Sequence, residues 1–231
     1  MFMKKNILIT GAAGNLGQVT VEKFLREGHR VIAAVSPGRK LDGMNGDIIT
    51  VEADLTQEKA VEEVVRKIVA AYQSIDAALL LAGGYDGGDI FKTDGASLRK
   101  MYSLNFETAY NVARPVFTQM MKQALGGRII FVGARPALKP EDGKKSLAYA
   151  LSKSLVFKLA DYLNAEGASK NVTCTVIVPS TIDTVANRQA MPNADFTSWV
   201  TPEVIADVMA FLISEKAGSL RETVVKVYGN A

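Results

Sequence analysis

Residues Lys5–Glu27 read KNILITGAAGNLGQVTVEKFLRE, and this stretch decides the fold. Ile7, Leu8 and Ile9 form a short apolar run, the pattern of a strand covered on both faces. Gly11, Gly14 and Gly17 follow at G-x-x-G-x-x-G spacing, with Asn15 and Leu16 opening the next element. That element is amphipathic: Val19, Phe24 and Leu25 can face a sheet, while Glu22, Lys23 and Arg26 face water. Glycines at such a turn let backbone N–H groups approach a phosphate, and a helix N-terminus adds partial positive charge behind them. An ordinary strand–turn–helix using glycine for tight packing fits the same residues, and the stretch alone leaves both readings open.

Around it, 231 residues with 48% hydrophobic and 22% charged content suffice for one packed core and are short for two. A single domain over residues 1–231 is therefore expected. The net charge of +3 is small and the cations are scattered. Lys4–Lys5 and Lys144–Lys145 are too short for a nucleic-acid stripe, so no nucleic-acid partner is expected. The single cysteine, Cys174, excludes an internal disulfide and sits in a strand-like run as a small apolar residue. A reducing, cytoplasmic setting fits. No apolar run is long enough to span a membrane, the N-terminal one being broken at Thr10–Gly11.

Along the chain, apolar runs predict strands at Arg30–Val35, Ile48–Glu52, Ala77–Leu81, Gly127–Val132, Val172–Val178 and Thr223–Tyr228. Helices are predicted at Gln57–Tyr72, capped by Thr56; at Ser97–Lys122, broken near Pro115; at Leu147–Glu166; and from Thr201-Pro202 to Ser214. Pro136–Lys145 reads as a polar loop. Ala186–Val200 shows little periodicity and reads as a lid at about residues 185–200. Strands alternating with helices predict an α/β fold, a doubly wound parallel sheet of about seven strands of the Rossmann type. Ligands of such sheets bind at the carboxyl ends of the strands.

Several residues stand at those ends. After the second strand come Ser36 and Arg39, where a site for NAD carries a carboxylate to accept the adenine ribose hydroxyls. A carboxylate would repel a 2′-phosphate, whereas a hydroxyl and a guanidinium can hold one, so the pattern favours NADP(H) over NAD(H). A solvated loop is the plain alternative. Asp54, followed by Leu55, can reach an adenine amine or simply close a turn. The loop Ala82-Gly83-Gly84-Tyr85-Asp86-Gly87-Gly88 lets backbone pass close to a ligand. Tyr85 can stack on a flat substrate or be a surface aromatic. Asn105, amid Leu104 and Phe106, needs partners if buried. Tyr149 and Lys153 lie one helical turn apart on one face. An ammonium beside a phenol favours the phenolate and lowers its pKa, so the pair can supply a proton to a reduced oxygen or nitrogen. A solvated helix face has the same spacing. No metal-ligand cluster is apparent.

With the glycine turn, the Ala82-Gly83-Gly84 loop, Asn105, Tyr149/Lys153 and Pro179…Thr184 in this order, the chain resembles the short-chain dehydrogenase/reductase family over nearly its full length. The resemblance implies that Tyr149 is the proton donor. It implies that Lys153 lowers the Tyr149 pKa and holds the nicotinamide ribose, and that Asn105 supports a water chain to Lys153. Pro179, Ile182 and Thr184 then belong to the nicotinamide end, with Ile182 and Thr184 on the carboxamide. A homodimer or homotetramer packed through Ser97–Lys122 and Leu147–Glu166 is implied as well.

Departures narrow the resemblance. The family's serine at the end of the fifth strand is replaced by Gly133-Ala134, and its Asn-Asn-Ala-Gly by Leu80-Leu81-Ala82-Gly83. These departures, and the late segment Asp183–Trp199, are similar to the dihydropteridine reductase branch, whereas Asn105 and Ser36 are not. The implied activity is NAD(P)H-dependent reduction of a flat conjugated small molecule such as a quinonoid dihydropteridine, with Ala134, Tyr85 and Trp199 near the substrate. A general carbonyl or 3-oxoacyl reductase is one alternative; a protein that senses NADP(H) without chemistry is another.

Overall fold

The structure, a computed structural model, describes residues 3–230. Seven strands form one sheet in the order β3-β2-β1-β4-β5-β6-β7, every neighbouring pair parallel. They are β1 (Asn6–Thr10), β2 (Arg30–Val35), β3 (Ile48–Glu52), β4 (Ala77–Leu80), β5 (Gly127–Val132), β6 (Val172–Pro179) and β7 (Val224–Val227). The chain winds outward from β1 to β3, then returns past β1 to β4. That reversal opens a crevice at the carboxyl ends of β1 and β4. The doubly wound parallel sheet expected from the alternating pattern is what forms.

One face of the sheet is covered by α1 (Asn15–Arg26) and α8 (Pro202–Ile213), whose Val21, Phe24, Ile205 and Met209 pack on Ile7, Ile9 and Val31. The other face carries α2 (Glu58–Tyr72), α4 (Thr108–Met120) and α6 (Leu147–Gly167), through Val61, Val65, Val116 and Val156. The short helix α3 (Gly95–Tyr102), which precedes α4 in the chain, packs on α6. Cys174 is buried in β6, and burial pushes its thiol pKa well up, as suits an inert core residue.

The structure corrects several local expectations. In α1 the core stripe is Val21, Phe24 and Leu25, at i, i+3 and i+4; Val19 lies off it and is only partly buried. Thr56 does not cap α2, because its N–H and hydroxyl both donate to Asp54 Oδ1, at 3.0 and 2.7 Å. Gln57 takes the cap position without a side-chain bond. The helical segment is interrupted at a π-helical turn over Ser103–Glu107, whereas Pro115 lies inside α4 without ending it. Residues 136–145 contain α5 (Pro140–Gly143), preceded by a 3-10 turn at Arg135–Ala137. The irregular lid segment holds α7 (Val185–Ala190) and a 3-10 turn at Phe196–Ser198.

His29, between α1 and β2, gives this fold a pH signature. The Lys5 N–H donates to its Nδ1 at 3.2 Å, which requires an unprotonated nitrogen there. Burial pushes its pKa below 6.5, against the pull of Glu27. The unfolded chain therefore binds this proton more readily than the folded one. The stabilisation is complete above the unfolded pKa and is lost as pH falls through the folded one. Urea midpoints should fall between about pH 7 and pH 5.5, and fall less in His29→Gln. Parallel pH slopes for the two proteins would refute the linkage.

Candidate active site

The site is built where the turns after β1 and β4 touch. Gly11 has φ +64°, and a Cβ there would come within 2.9 Å of Ala82 N. Thr10 Oγ1 accepts the Ala82 N–H at 3.2 Å, joining the two turns a second time. Gly14 N donates to Gly11 O at 2.9 Å and serves as the cap of α1 without any side-chain bond. The first N–H groups of α1, on Asn15 and Leu16, are thus left uncovered by side chains, as a phosphate cradle requires. At Gly17 any Cβ would collide with Gly11 O and Ala12, so this glycine serves close packing of helix on strand.

Asn105 lies in the π-helical turn and is 1% exposed. Its Oδ1 accepts from Gly84 N at 2.9 Å, and its Nδ2 donates to Gly84 O at 3.0 Å and to Ser152 Oγ at 3.0 Å. Ser152 Oγ in turn donates to Tyr149 O at 2.8 Å. One buried amide therefore ties the loop after β4 to the helix that carries Tyr149. A second tie lies farther along the loop, where Gly88 N donates to Lys145 O and Leu147 N to Gly88 O, both at 2.8 Å.

Lys153, on the same face of α6 as Tyr149, is buried, and its Nζ donates to Val132 O at the end of β5 at 2.8 Å. Gly83 faces it: a Cβ there would lie 3.2 Å from Lys153 Nζ and 2.6 Å from Asn105 Oδ1. Burial lowers the Lys153 pKa to about 8. Tyr149 is half-buried, and its ring meets Tyr85 edge-on at 5.0 Å between centroids. Burial, and then Tyr85, raise its pKa to about 12. The expected lowering of Tyr149 by Lys153 is therefore not what this structure has. The ammonium is turned to a carbonyl, and desolvation pushes both groups toward their neutral forms.

The remaining residues divide by position. Gly133 cannot carry a side chain as it stands, since its Cβ would lie 2.7 Å from both Phe157 and Val176. Ala134 is buried beside it with extended backbone. Ser36 and Arg39 are exposed on the turn after β2, Arg39 N donating to Ser36 O at 3.0 Å. Glu52, at the end of β3, accepts from Gly38 N at 3.3 Å and braces that turn. Asp54 is engaged with Thr56, which favours its turn-closing role, and Leu55 O accepts from Asn111 Nδ2. Pro179 ends β6, and Thr184 caps α7 through Asn187 N. Ile182 O accepts from Asn187 Nδ2. Trp199 packs on Phe196, 4.8 Å between centroids, rather than on Tyr149 or Tyr85. A groove of about 490 Å³ runs beside the crevice between α1, α7 and α8, sharing Asn15 and Thr184 with it.

Thr10, Ser152, Glu52 and the Val132 carbonyl escaped sequence reasoning. A polar residue closing a buried strand, and a serine directly before Lys153, were the available signals for the first two.

Gly83→Ala should keep the fold while displacing the Asn105 amide or the Lys153 ammonium. Turnover should drop about 10²-fold, as misplacement by about an ångström does. Steady-state rates measured beside a thermal melt test this, and an unimpaired Gly83→Ala enzyme would contradict the packing described.

Comparison with known proteins bears on this geometry. Residues 5–195 match the family model described as short chain dehydrogenase. An uncharacterized oxidoreductase of Bacillus subtilis, YuxG, is 30% identical over 78% of this chain, and the match spans only 27% of that longer protein. The 3-oxoacyl-[acyl-carrier-protein] reductase FabG of Thermotoga maritima is 26% identical over 97% of this chain and 96% of its own. The dihydropteridine reductase of Dictyostelium discoideum is 27% identical over 89% of this chain and 86% of its own. Among solved structures, that of ElxO with NADP bound superposes with a TM-score of 0.89 at 23% identity, covering 98% of both chains. A family model covering most of the chain, on a sheet whose crevice gathers Tyr149, Lys153 and the glycine turn, makes this protein a member of the short-chain dehydrogenase/reductase family of oxidoreductases.

Proposed function

We propose that this protein reduces a flat, conjugated small molecule with NADPH, a quinonoid dihydropteridine being the first candidate, and that Tyr149 supplies the proton. The observation that carries this reading is Lys153. Its buried ammonium is held on Val132 O at the sheet's carboxyl edge, one helical turn from Tyr149 and against Gly83. A buried lysine without a carboxylate partner is costly and belongs to a site rather than to a packed core.

The residues present fit a dinucleotide. The uncapped start of α1 at Asn15 and Leu16 suits a pyrophosphate, and the backbone contact of Gly11 with Ala82 leaves a narrow seat beside it. When bound, the reduced nicotinamide supplies a hydride. Everything else falls to the chain. Lys153 has N–H groups beyond the one given to Val132 O with which to orient a ribose hydroxyl. Tyr149, kept protonated with a pKa of about 12, holds a proton ready for the substrate heteroatom. Asn105 and Ser152 fix the helix that aims it.

The lack of a hydroxyl at Gly133-Ala134 supports a conjugated substrate. A ketone concentrates charge on one oxygen as it is reduced and benefits from a donor fixed on β5, whereas a conjugated C=N system spreads that charge over its ring and can take a hydrogen bond from another side. The dihydropteridine reductase among its relatives supports the same choice, and the 3-oxoacyl reductase supports the alternative of a ketone. Ser36 and Arg39 support NADPH, because both are exposed on the turn after β2 and Arg39 forms no ion pair among the described residues, which leaves its guanidinium for a phosphate. Exposed Tyr102, Leu104, Tyr110, Leu151 and Leu155 on the segment 102–110 and on α6 support a dimer packed through these helices. The buried free thiol of Cys174 suits a cytoplasmic setting.

Purified protein assayed with quinonoid dihydropterin beside a ketone panel should turn over the pterin faster, and turnover of ketones alone would overturn the substrate choice. Tyr149→Phe should lose about 10²- to 10⁴-fold in turnover while cofactor still binds. Undiminished turnover there would refute the proton-donor role, and a wild type that binds cofactor without turning over any substrate would indicate a sensor. Arg39→Ala should cut the preference for NADPH over NADH about 10- to 100-fold, the worth of one charged hydrogen-bond pair.

A further inference from the structure

We propose that Tyr85 is a second catalytic hydroxyl, donating to the substrate the hydrogen bond that the residue pair at the end of β5 cannot give. The proposal rests on the reductase reading above and concerns the same crevice. Its starting point is a vacancy of chemistry. Gly133 has no room for a side chain between Phe157 and Val176, and Ala134 presents only a methyl group. A substrate whose heteroatom takes a proton from Tyr149 then has no donor on its other side from β5.

The fold brings one other side-chain hydroxyl into aromatic contact with Tyr149, and it is that of Tyr85. The two rings meet edge-on, 5.0 Å between centroids and 70° between planes. Neither hydroxyl is engaged by a protein acceptor among the described residues, so both protons are available to a ligand. Tyr85 is 69% exposed, which a core or packing residue would not be. Yet its loop is not loose. Asn105 holds Gly84 by two hydrogen bonds immediately before it, and three residues after it the Gly88 backbone is paired with Lys145 and Leu147. An exposed aromatic on a loop fastened at both ends, against the proton donor, is a preorganised contact rather than a surface accident. The like-charge effect of Tyr85 on Tyr149 agrees with this proximity.

Tyr85 keeps its own proton throughout. It donates a hydrogen bond to a ring oxygen or nitrogen of the substrate, and that bond strengthens as negative charge develops there. Tyr149 alone transfers a proton. The ligand class this geometry selects is a planar ring with two acceptors within reach of the two phenols.

The test is Tyr85→Phe, which removes one oxygen and keeps the ring. With quinonoid dihydropterin, or with the best substrate of a ketone and quinone panel, kcat should fall about 10- to 100-fold while the KM for NADPH stays within about twofold. Ala134→Ser placed in the Tyr85→Phe background should restore part of kcat by returning a donor to the crevice from β5. Wild-type kcat in Tyr85→Phe would overturn the proposal, as would a raised substrate KM at unchanged kcat, since either assigns Tyr85 to stacking alone. Tyr149→Phe measured in parallel separates the two readings: with it inactive and Tyr85→Phe fully active, only the second hydroxyl falls, whereas an active Tyr149→Phe removes both.

Discussion

A buried ammonium with a main-chain carbonyl as its protein partner is the constraint to which the rest of the crevice answers. Taking Lys153 out of water costs several kcal/mol unless other groups compensate, and among the described residues no carboxylate does so. The Val132 carbonyl accepts one of its three protons, and burial brings the pKa down to about 8. Such a residue is affordable only in a fold whose remaining stability is ample, and a seven-stranded sheet buried on both faces provides that. The neighbouring positions are then restricted. Gly83 must lack a side chain, and the loop carrying it must not move.

Asn105 meets the second requirement. Its amide accepts from the N–H of Gly84 and donates to the C=O of the same residue, the pattern by which one strand pairs with another. A side chain thus replaces a strand neighbour where β4 has already ended. To reach that place, the amide leaves the helical surface and enters the core. The π-helical turn at Ser103–Glu107 is the local distortion found where it does so. The remaining Nδ2 proton goes to Ser152, so a single buried amide fixes both the seat for a ligand and the helix that bears Tyr149. Losing it would leave the partly buried Gly84 N–H and C=O, and the Ser152 hydroxyl, without their amide partner.

What could be read from the sequence, and what could not, follows from the range of the forces involved. Strand and helix positions depend on apolar periodicity, which is local, so β2, β3 and β5 fall where Arg30–Val35, Ile48–Glu52 and Gly127–Val132 place them. The pairing of Tyr149 with Lys153 is equally local, being one turn of one helix. Asn105 was visible as a polar residue in an apolar setting, but its partners lie 21 and 47 residues away and no periodicity encodes them. The π-helical turn was missed for the same reason, and the break was assigned to Pro115 because proline is the break signal a sequence displays. Thr56 looked like a helix cap because hydroxyls before helices usually are; Asp54, two residues earlier, competes for it with a stronger acceptor. The Tyr149 pKa could not be read at all, because the spacing gives the distance to an ammonium and not the burial of both groups.

Those two ionisation states bear on the direction of chemistry. Burial holds the Tyr149 phenol, with a pKa of about 12, in its protonated form at pH 7, so as a base it is in the wrong form. As an acid it is fully in the right one. Tyr85 reinforces this, since a phenolate on Tyr149 would lie beside a second electron-rich ring. Lys153 does not reverse the balance while its ammonium faces the Val132 carbonyl. A crevice that penalises the anion on Tyr149 gives a proton more readily than it takes one.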